Sequence, residues 1–480
     1  MHMLTAQCRA LSNAGLSEVL YYPEDDEYAS TLSSYYSADV QDIKPRCVLQ
    51  PHSTAQVSTA LKALSEEDGK CWLVGIRSGG HSPFPSNNVK QGVTIDLGAL
   101  DEVHYAPGPN GTAEDGTVVV GSGARWGEVY AKLEPQGAMT TGGREGHVGV
   151  GGFLLGGGFS WYSGKLGMSA DNVVSYEVVL ADGTVVTADA SENADLFKAL
   201  KGGMNNIGVV THFKLKTFAS HNLFGGVMAF PIAQAPAIAD RFVGMVDNSH
   251  VNPAETGFVS YSWTPATGSS VAFITVNTND VKNSSSFQGL EDLGPLVDLR
   301  MSQPVSGIAL QLQGTLGLYN IWFTLTFQNT VDMGRKFLEV FNSLIADIQG
   351  DIDESVNIIF VMTPLPTTYK KGGDNILGLN ENLTKNSIVV QFEALMPSDK
   401  YKTFLTSKLR DATAGVQAYA EKTGQDNKWL YVNYANREQD ALGTYGEENL
   451  DFLERVAKKY DPEGFFQDRV TGGFKITRRS

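Results

Sequence analysis

Short apolar runs separated by turns fill the first 215 residues of the chain. Residues 46–64 predict a short strand, a turn and an amphipathic helix, because apolar side chains recur at helical spacing from Val57 to Leu64. The buried strand CWLVGI follows and leads into a glycine turn, and the segment VVSYEVVLADGTVVT predicts two strands around a tight turn. A short helix at 196–200 and the strand IGVVTHFKLKTF complete a pattern of many short strands and few helices. This half of the chain is predicted to be α+β.

Longer β-rich runs characterise residues 216–429. They read TGFVSYSWTP, SSVAFITVNT, LYNIWFTLTFQN and NSIVVQFEAL, and two helical stretches accompany them, around 331–347 and 399–422. This pattern predicts an antiparallel sheet that helices cover on one face. The C-terminal segment then predicts a strand, WLYVNYA, followed by a loop and a helix over 446–460.

The charge balance narrows the classes of partner. The chain has 53 acidic and 37 basic residues and a formal net charge of -16. This acidic balance argues against nucleic acid as a partner, since phosphate neutralisation needs clustered Lys and Arg. No apolar run reaches the roughly 18–20 residues of a membrane helix, and no signal peptide is visible. We therefore expect no membrane partner, and either a cytoplasmic location or secretion with the leader removed.

Glycine is the residue type in excess. The chain has 51 glycines in 480 residues, and nine of them fall in the 17 positions from Gly142 to Gly158; about 7% is ordinary. A dinucleotide fingerprint GxGxxG is excluded there, because Gly149-Val150-Gly151 is followed by Leu154 at the third position. A phosphate loop GxxxxGK[ST] is also excluded, because Gly164-Lys165 precedes a leucine.

Two separate loops remain as a candidate cradle for a flavin dinucleotide. One is Arg77–Ser82, of sequence RSGGHS, and the other is Gly142–Gly158. Glycine permits positive φ and lets consecutive N–H groups point inward, so such loops can wrap a pyrophosphate without a lysine. The alternative is that both loops are structural turns and that His81 is an ordinary hydrogen-bonded turn residue.

In motif content and order, the chain resembles the berberine bridge enzyme-like family of flavoproteins, within the vanillyl-alcohol oxidase superfamily, in the style of a fungal member. The matching segments are CVLQPHSTAQV, RSGGHS, VGVGG…GGG, SADNVVSYEVVLADG, GGMNNIGVVTHF and YVNYAN…YGEENLDFLERVAKKYDPEGFFQ. The resemblance implies an FAD-binding domain of the vanillyl-alcohol oxidase type formed by residues 1–215 and 430–480. Residues 216–429 would form the substrate-binding domain.

The resemblance also implies how FAD is held. The family's histidine, here His81, carries a covalent bond to the flavin, and the cysteine that adds a second bond in many members is replaced by Glu145. At most one covalent bond is therefore expected. The residues that the resemblance assigns to the cofactor are Arg77, Ser78, Gly79, Gly80, His81, Ser82, Val148, Gly149, Gly151, Gly152, Gly157, Gly158, Gly208, Val210 and Asn433.

Three residues are assigned to catalysis. The resemblance gives Val148 a role in oxygen access, which favours an oxidase, and gives Tyr431 a role in deprotonating the substrate. A second tyrosine of alcohol-oxidising relatives is Phe159 here, so the tyrosine pair is incomplete, and Tyr431 needs a charged or polar partner to act as a base. Glu393 shares one strand face with Gln391, and it is the candidate base if that face lines the flavin cavity rather than solvent. Further candidate cavity residues on the strand LYNIWFTLTFQN are Tyr319, Trp322, Thr324 and Thr326.

The resulting expectation is an FAD oxidase, a monomer or weak dimer, acting on a small phenolic, alkaloid or polyketide-type molecule with O2 as acceptor. Alternatives are an oligosaccharide oxidase, an isomerase or cyclase with a redox-silent flavin, and a non-catalytic flavin-binding protein. Arg144, Glu145 and His147 either shape the site or point outward. The resemblance favours a Cys8–Cys47 disulfide with Cys71 free, and three ordinary thiols are the alternative.

Overall fold

The computed structural model describes residues 6–66, 72–371 and 374–476. Cys71, predicted as a free thiol, lies outside the described residues. The helices of the described chain are α1 (Ala6–Leu11), α2 (Asp26–Ser33), α3 (Ala38–Gln41), α4 (Thr54–Ser65), α5 (Trp126–Leu133), α6 (Val150–Leu155), α7 (Ser163–Leu166), α8 (Ala194–Leu200), α9 (Ala235–Asp247), α10 (Val305–Gln311), α11 (Val331–Ile348), α12 (Leu379–Asn382), α13 (Lys402–Thr423), α14 (Glu447–Tyr460) and α15 (Phe465–Asp468).

The strands up to residue 219 form three small sheets. They are β1 (Leu20–Tyr21), β2 (Cys47–Leu49), β3 (Val74–Arg77), β4 (Val93–Asp96), β5 (Val103–Ala106), β6 (Thr117–Gly121), β7 (Ala138–Met139), β8 (Val173–Val179), β9 (Val185–Asp189), β10 (Val209–Lys216) and β11 (Phe218–Ala219). The first sheet has the order β1-β2-β4-β3, in which β2 and β3 run parallel to β4. The second is antiparallel with the order β5-β6-β10-β8-β9, and β7 pairs with β11.

The remaining strands of the described chain form one antiparallel sheet of nine strands, called the large sheet below. Its order is β15-β12-β14-β13-β18-β19-β17-β20, with β16 also paired to β12. The strands are β12 (Leu223–Pro231), β13 (Glu255–Thr264), β14 (Gly268–Asn277), β15 (Val297–Asp298), β16 (Met301–Gln303), β17 (Tyr319–Gln328), β18 (Asn357–Leu365), β19 (Ser387–Met396) and β20 (Asp426–Asn427).

Helices cover one face of the large sheet. Alternate side chains such as Tyr261, Phe323, Phe360 and Phe392 share a hydrophobic core with α9, α11 and α13. Because side chains alternate along a strand, the residues between them point to the opposite face. The predicted α+β class, with an antiparallel sheet covered by helices, is confirmed.

The C-terminal segment packs against the N-terminal part of the chain. Leu450 and Leu453 of α14 share a core with Leu200 of α8. Phe466 of α15 joins the core formed by α4 and the first sheet, which includes Leu61. These contacts support placing residues 430–480 with residues 1–215, and the boundaries themselves stay a prediction.

One local prediction differs from the structure, and one helix has no counterpart in the predicted elements. The segment WLYVNYA is not a strand: it turns, with the Tyr434 N–H donating to the Tyr431 carbonyl at 2.9 Å. The reason lies on β17. The Thr324 N–H donates to the Gln439 side-chain oxygen at 3.1 Å, and the Gln439 side-chain amide donates to the Thr324 carbonyl at 2.6 Å. These backbone groups of Thr324 are therefore not available to pair with another strand. Helix α9 was not predicted, although Pro236 in its first turn is compatible with a helix start.

The Cys8–Cys47 disulfide is present and joins α1 to β2, with a Cα–Cα distance of 6.2 Å. This confirms the pairing that the resemblance favoured. Among the described residues, no helix combines the length and apolar composition needed to cross a bilayer. The described part of the chain also holds no cluster of three or more His, Cys, Asp or Glu side chains suited to a metal ion.

Candidate active site

The two glycine-rich loops touch through bare backbone. A Cβ atom on Gly79 would lie 2.4 Å from the Cα of Gly149, and one on Gly149 would lie 2.4 Å from the nitrogen of Gly79. The Ser78 hydroxyl joins the loops as well, since it donates to the Ser122 carbonyl at 2.6 Å and accepts from the Gly151 N–H at 3.1 Å. The glycines are therefore required for the close approach of the loops.

A cavity of about 580 Å³ opens beside these loops, a size within the usual range of about 300–1,000 Å³ for ligand sites. Most residues that the sequence assigned to FAD line it. They are Ser78, Gly79, Gly80, His81, Ser82, Val148, Gly149, Gly151, Gly152, Gly208, Val210 and Asn433.

Two features of this lining fit a large cofactor such as FAD. A Cβ on Gly152 would meet no atom within 4 Å, so the backbone there faces open space. The Asn87 Oδ1 atom is buried at the cavity wall and accepts no hydrogen bond from the described residues. A buried unpaired acceptor is unfavourable by about 1–3 kcal/mol, and a donor on the cofactor would satisfy it.

Three of the residues assigned to FAD lie behind the cavity wall instead. The Arg77 guanidinium is turned inward by an ion pair with Asp96 at 3.1 Å and by stacking on Tyr35. Gly157 and Gly158 have positive φ of 102° and 82° and shape the turn after α6. These three residues support the loops rather than contact the cavity.

His81 projects from the first loop into the cavity. Its ring stacks on Tyr36 with centroids 4.1 Å apart, and its Nε2 lies 3.5 Å from a carboxylate oxygen of Glu145. Burial, together with the positive charge of Arg125, lowers the pKa of His81 to about 3. The imidazole is therefore neutral at physiological pH, with a lone pair on one ring nitrogen.

Glu145 lies on the second loop and also lines the cavity. Its carboxylate accepts the Val148 N–H at 2.9 Å, and burial raises its pKa to about 7. His147 lies 3.4 Å from the same carboxylate but is not part of the cavity lining. Of the three polar residues whose direction the sequence left open, Arg144 and Glu145 point into the cavity.

The uncovered face of the large sheet forms the opposite wall of the cavity. Its residues there are Phe258 and Ser260 on β13, Ala272 and Ile274 on β14, Trp322 on β17, Ile359 and Val361 on β18, and Gln391, Glu393 and Leu395 on β19. Glu393 therefore faces the cavity, as the strand alternation allowed. The Gln391 amide donates to its Oε1 at 2.8 Å, and burial raises the pKa of the carboxyl to about 8.

Four residues of β17 were candidates from the sequence. Among the described residues, Trp322 is the one of these four that lines the cavity. The Tyr319 hydroxyl donates to Asp42 at the exposed end of the strand. Thr324 uses its hydroxyl to donate to the Val390 carbonyl at 2.7 Å, and Thr326 is buried in the sheet. These two threonines share the face of Trp322 but lie further along β17, beside the turn that holds Gln439.

The turn from Tyr431 to Tyr434 completes the site. Because this segment turns, Tyr431, Val432, Asn433 and Tyr434 all reach the cavity, which an alternating strand could not achieve. The Tyr431 hydroxyl accepts the Gly158 N–H at 3.1 Å and the Asn433 amide at 3.0 Å. Burial raises the pKa of Tyr431 above its ordinary value, so the phenol keeps its proton at neutral pH.

Sequence reasoning missed several cavity residues, chief among them Tyr36, Asn87, Leu312 and Tyr434. Tyr36, Asn87 and Leu312 lie outside the recognised motifs, and only the tertiary fold brings them to the cavity. Tyr434 belongs to the recognised segment YVNYAN, but in the predicted strand its side chain could not be assigned to the same side as that of Tyr431. For the other three, no sequence signal was available.

Comparisons with known proteins identify relatives of this chain. The FAD binding domain family matches residues 45–189. The FAD-dependent monooxygenase drtC of Aspergillus calidoustus is 32% identical over 98% of this chain and 90% of its own length. Xylooligosaccharide oxidase from Myceliophthora thermophila C1 (TM-score 0.76, 19% identity, 98% of this chain and 99% of that chain) and berberine bridge enzyme from Eschscholzia californica (0.73, 17%, 98% and 99%) share the fold. The chain belongs to the family of FAD-binding oxidoreductases that includes drtC, and its fold confirms the predicted resemblance to berberine bridge enzyme.

Proposed function

We propose that this protein is an FAD-dependent oxidase that dehydrogenates a small phenolic, alkaloid or polyketide-type molecule, with O2 as acceptor and hydrogen peroxide as product. One observation carries the proposal. A single cavity is lined on one side by glycine loops that fit FAD and on the other by the buried carboxyl group of Glu393. The substrate would lie between the two walls.

The cofactor would be held by the loops Arg77–Ser82 and Gly142–Gly158, with one covalent bond through His81. A neutral imidazole supports this assignment, because it offers a lone pair where an imidazolium offers none. Among the residues that line the cavity there is no cysteine for a second bond. When bound, the flavin supplies the hydride-accepting ring, and the protein supplies position and proton transfer.

Glu393 would take the proton that leaves the substrate's O–H, N–H or activated C–H. A pKa of about 8 places this carboxyl near the operating pH, which is where a general base is most effective. The Gln391 amide fixes the carboxyl by donating to its Oε1, so one oxygen is held while the other remains for the substrate.

Tyr431 and Val148 would have supporting roles at the ring. The Tyr431 oxygen already accepts two hydrogen bonds and its phenol stays protonated, so it acts as a donor toward the substrate rather than as the base. Val148 lines the cavity as part of the second glycine loop, and its small side chain would leave room for O2.

Monooxygenation is a second candidate, because relatives such as drtC are named FAD-dependent monooxygenases. The two reactions differ in the fate of oxygen. With isotopically labelled O2, an oxidase leaves the label in peroxide, whereas a monooxygenase transfers one labelled atom to the organic product. An oligosaccharide oxidase, as the name of the xylooligosaccharide oxidase would suggest, is disfavoured by the aliphatic and aromatic side chains that dominate the sheet wall.

The test is anaerobic mixing of the purified, flavin-loaded protein with a panel of phenols, alkaloids and oligosaccharides. Bleaching of the visible flavin band followed by peroxide formation on admitting air is the expected result. Turnover without bleaching would instead assign an isomerase or cyclase with a redox-silent flavin. A colourless protein that takes up no FAD would overturn the proposal.

A further inference from the structure

Arg144 is a guanidinium in the cavity with no carboxylate partner among the described residues. It lies on the second glycine loop, lines the cavity and is half-buried. Its side chain is held against aromatic rings, with Cζ 4.9 Å from the Phe258 ring centroid and 5.7 Å from that of Trp161. Arginines taken out of water are ordinarily paired, and this half-buried guanidinium meets no carboxylate in the described chain, so its charge is available to a ligand.

Arg144 makes a single hydrogen bond to the described protein. Its Nη2 donates to the Tyr434 hydroxyl at 2.6 Å. The remaining N–H groups of the fork have no acceptor in the described part of the chain, and the Tyr434 O–H proton also has none there. Two donors therefore stand together at the cavity wall, one of them charged.

The indole N–H of Trp322, on β17, is a third donor near this pair. The Trp322 Nε1–H is buried, belongs to a residue of the cavity lining and meets no acceptor among the described residues. The Trp322 and Tyr434 rings form an edge-to-face pair, with centroids 6.3 Å apart. A buried unpaired donor is unfavourable unless a ligand or water accepts its hydrogen bond.

Trp322 lies on the same cavity wall as the candidate base Glu393. Trp322 on β17 is paired directly with Glu393 on β19, so one donor of the cluster is a neighbour of the candidate base. Resting on the proposed function, we propose that Arg144, with Tyr434 and Trp322, binds an anionic oxygen of an aromatic substrate, either a carboxylate or a phenolate. The neighbouring rings of Phe258, Trp322 and Tyr434 would pack on its aromatic face.

The experiment measures ligand affinity, which does not depend on turnover. The flavin-loaded protein is titrated calorimetrically with benzoate, pentafluorophenolate and the neutral benzamide. Benzoate represents a carboxylate and pentafluorophenolate represents a phenolate, so the two probes distinguish the two kinds of anionic oxygen. Charge-assisted hydrogen bonds contribute about 1.5–3 kcal/mol, so at least one anion is expected to bind at least about tenfold more tightly than benzamide.

Arg144→Met should abolish this preference, and Arg144→Lys should restore part of it. The matched control is Arg410→Met, an exposed arginine paired with Glu438 on the surface, which should leave all three affinities unchanged. Equal binding of anions and benzamide by the unaltered protein, or unchanged anion binding in Arg144→Met, would overturn the proposal.

The flavin itself is the rival partner for this charge. Sulfite affinity of the flavin in Arg144→Met tests it, because sulfite adds to a flavin more readily when positive charge is near the ring. Lowered sulfite affinity without a change in anion binding would assign Arg144 to the cofactor and overturn the proposal. Anion binding that depends on Arg144 in a protein that never bleaches would overturn the oxidase function instead and leave this site standing.

Discussion

The carboxyl group of Glu393 determines the expected pH dependence of catalysis. Burial raises its pKa to about 8, so the group is mostly protonated at neutral pH and becomes a base as pH rises. The rate constant kcat/KM should therefore increase through about pH 8. Glu393→Gln should lower kcat/KM by about 10²–10⁴-fold and remove this limb from the profile.

A stability measurement tests the raised pKa of Glu393 without reference to catalysis. The folded pKa lies above the unfolded value of 4.5, so between about pH 4.5 and 8 only the unfolded chain loses the proton. Stability then falls as pH rises through this window, and Glu393→Gln should unfold at a higher temperature than the unaltered protein at pH 8 but not at pH 4. The exposed Glu381→Gln is the control. A pH profile that Glu393→Gln leaves in place would assign the base elsewhere.

His81 allows a prediction about the cofactor bond. Acid-precipitated protein should retain yellow colour in the pellet, and His81→Ala should release the flavin into the supernatant while still binding it before precipitation, because the loop backbones remain. His250→Ala, at an exposed position, should behave like the unaltered protein. Colour in the His81→Ala pellet would place the bond on another residue.

At this scale the sequence predicted those residues that lie inside long motifs. The glycines, His81 and Val148 follow from the order of residues within two loops. Glu393 followed from strand alternation once the strand was recognised, but whether its face met solvent or cavity depended on the other domain. Tyr36 was not predictable, because its contact with His81 joins segments with no shared pattern.

The glycine loops act as elements whose backbones must approach closely. Gly79→Ala would place a Cβ 2.4 Å from the Gly149 Cα, and since backbone cannot yield as a flexible side chain does, the loops must separate. Overpacking of this kind costs about 1–3 kcal/mol. The variant should bind FAD weakly and should have a lower unfolding temperature, as measured by flavin absorbance per protein and thermal denaturation.

Gly415→Ala is the matched control for this change. Gly415 lies within α13, and a Cβ there would meet nothing within 4 Å. Alanine exceeds glycine in helix propensity by about 1 kcal/mol, so this variant should keep its FAD and become slightly more stable. Full flavin content in Gly79→Ala would show that the loops tolerate separation.

Elements with a strong period were predictable and those fixed by tertiary contacts were not. Helices α11 and α13 and strands β13 and β19 follow from hydrophobic spacing alone. The segment WLYVNYA has strand-like alternation, yet it turns because Gln439 occupies the hydrogen-bonding groups of Thr324 where a strand would pair. That competition comes from outside the segment, so local pattern could not reveal it.

At the scale of the whole molecule, the cavity wall is assembled from parts distant in sequence. The loops come from the first third of the chain, the opposite wall from the large sheet, and the turn with Tyr431 and Tyr434 from the C-terminal segment. A cofactor in this cavity would contact elements that no short covalent connection joins. Its binding should therefore stabilise these parts together rather than one loop alone.

Hydrogen exchange of His81→Ala, with and without added FAD, tests this coupling, because the flavin is then removable. A ligand that binds only the folded state at a hundredfold its Kd adds about 2.7 kcal/mol of stability. FAD should slow exchange in the loops 77–82 and 142–158 and also in the turn 431–435. Helix α11, on the covered face of the large sheet, should change least because the sheet lies between it and the cavity. Protection confined to 77–82 would mean that the cofactor does not bridge the walls.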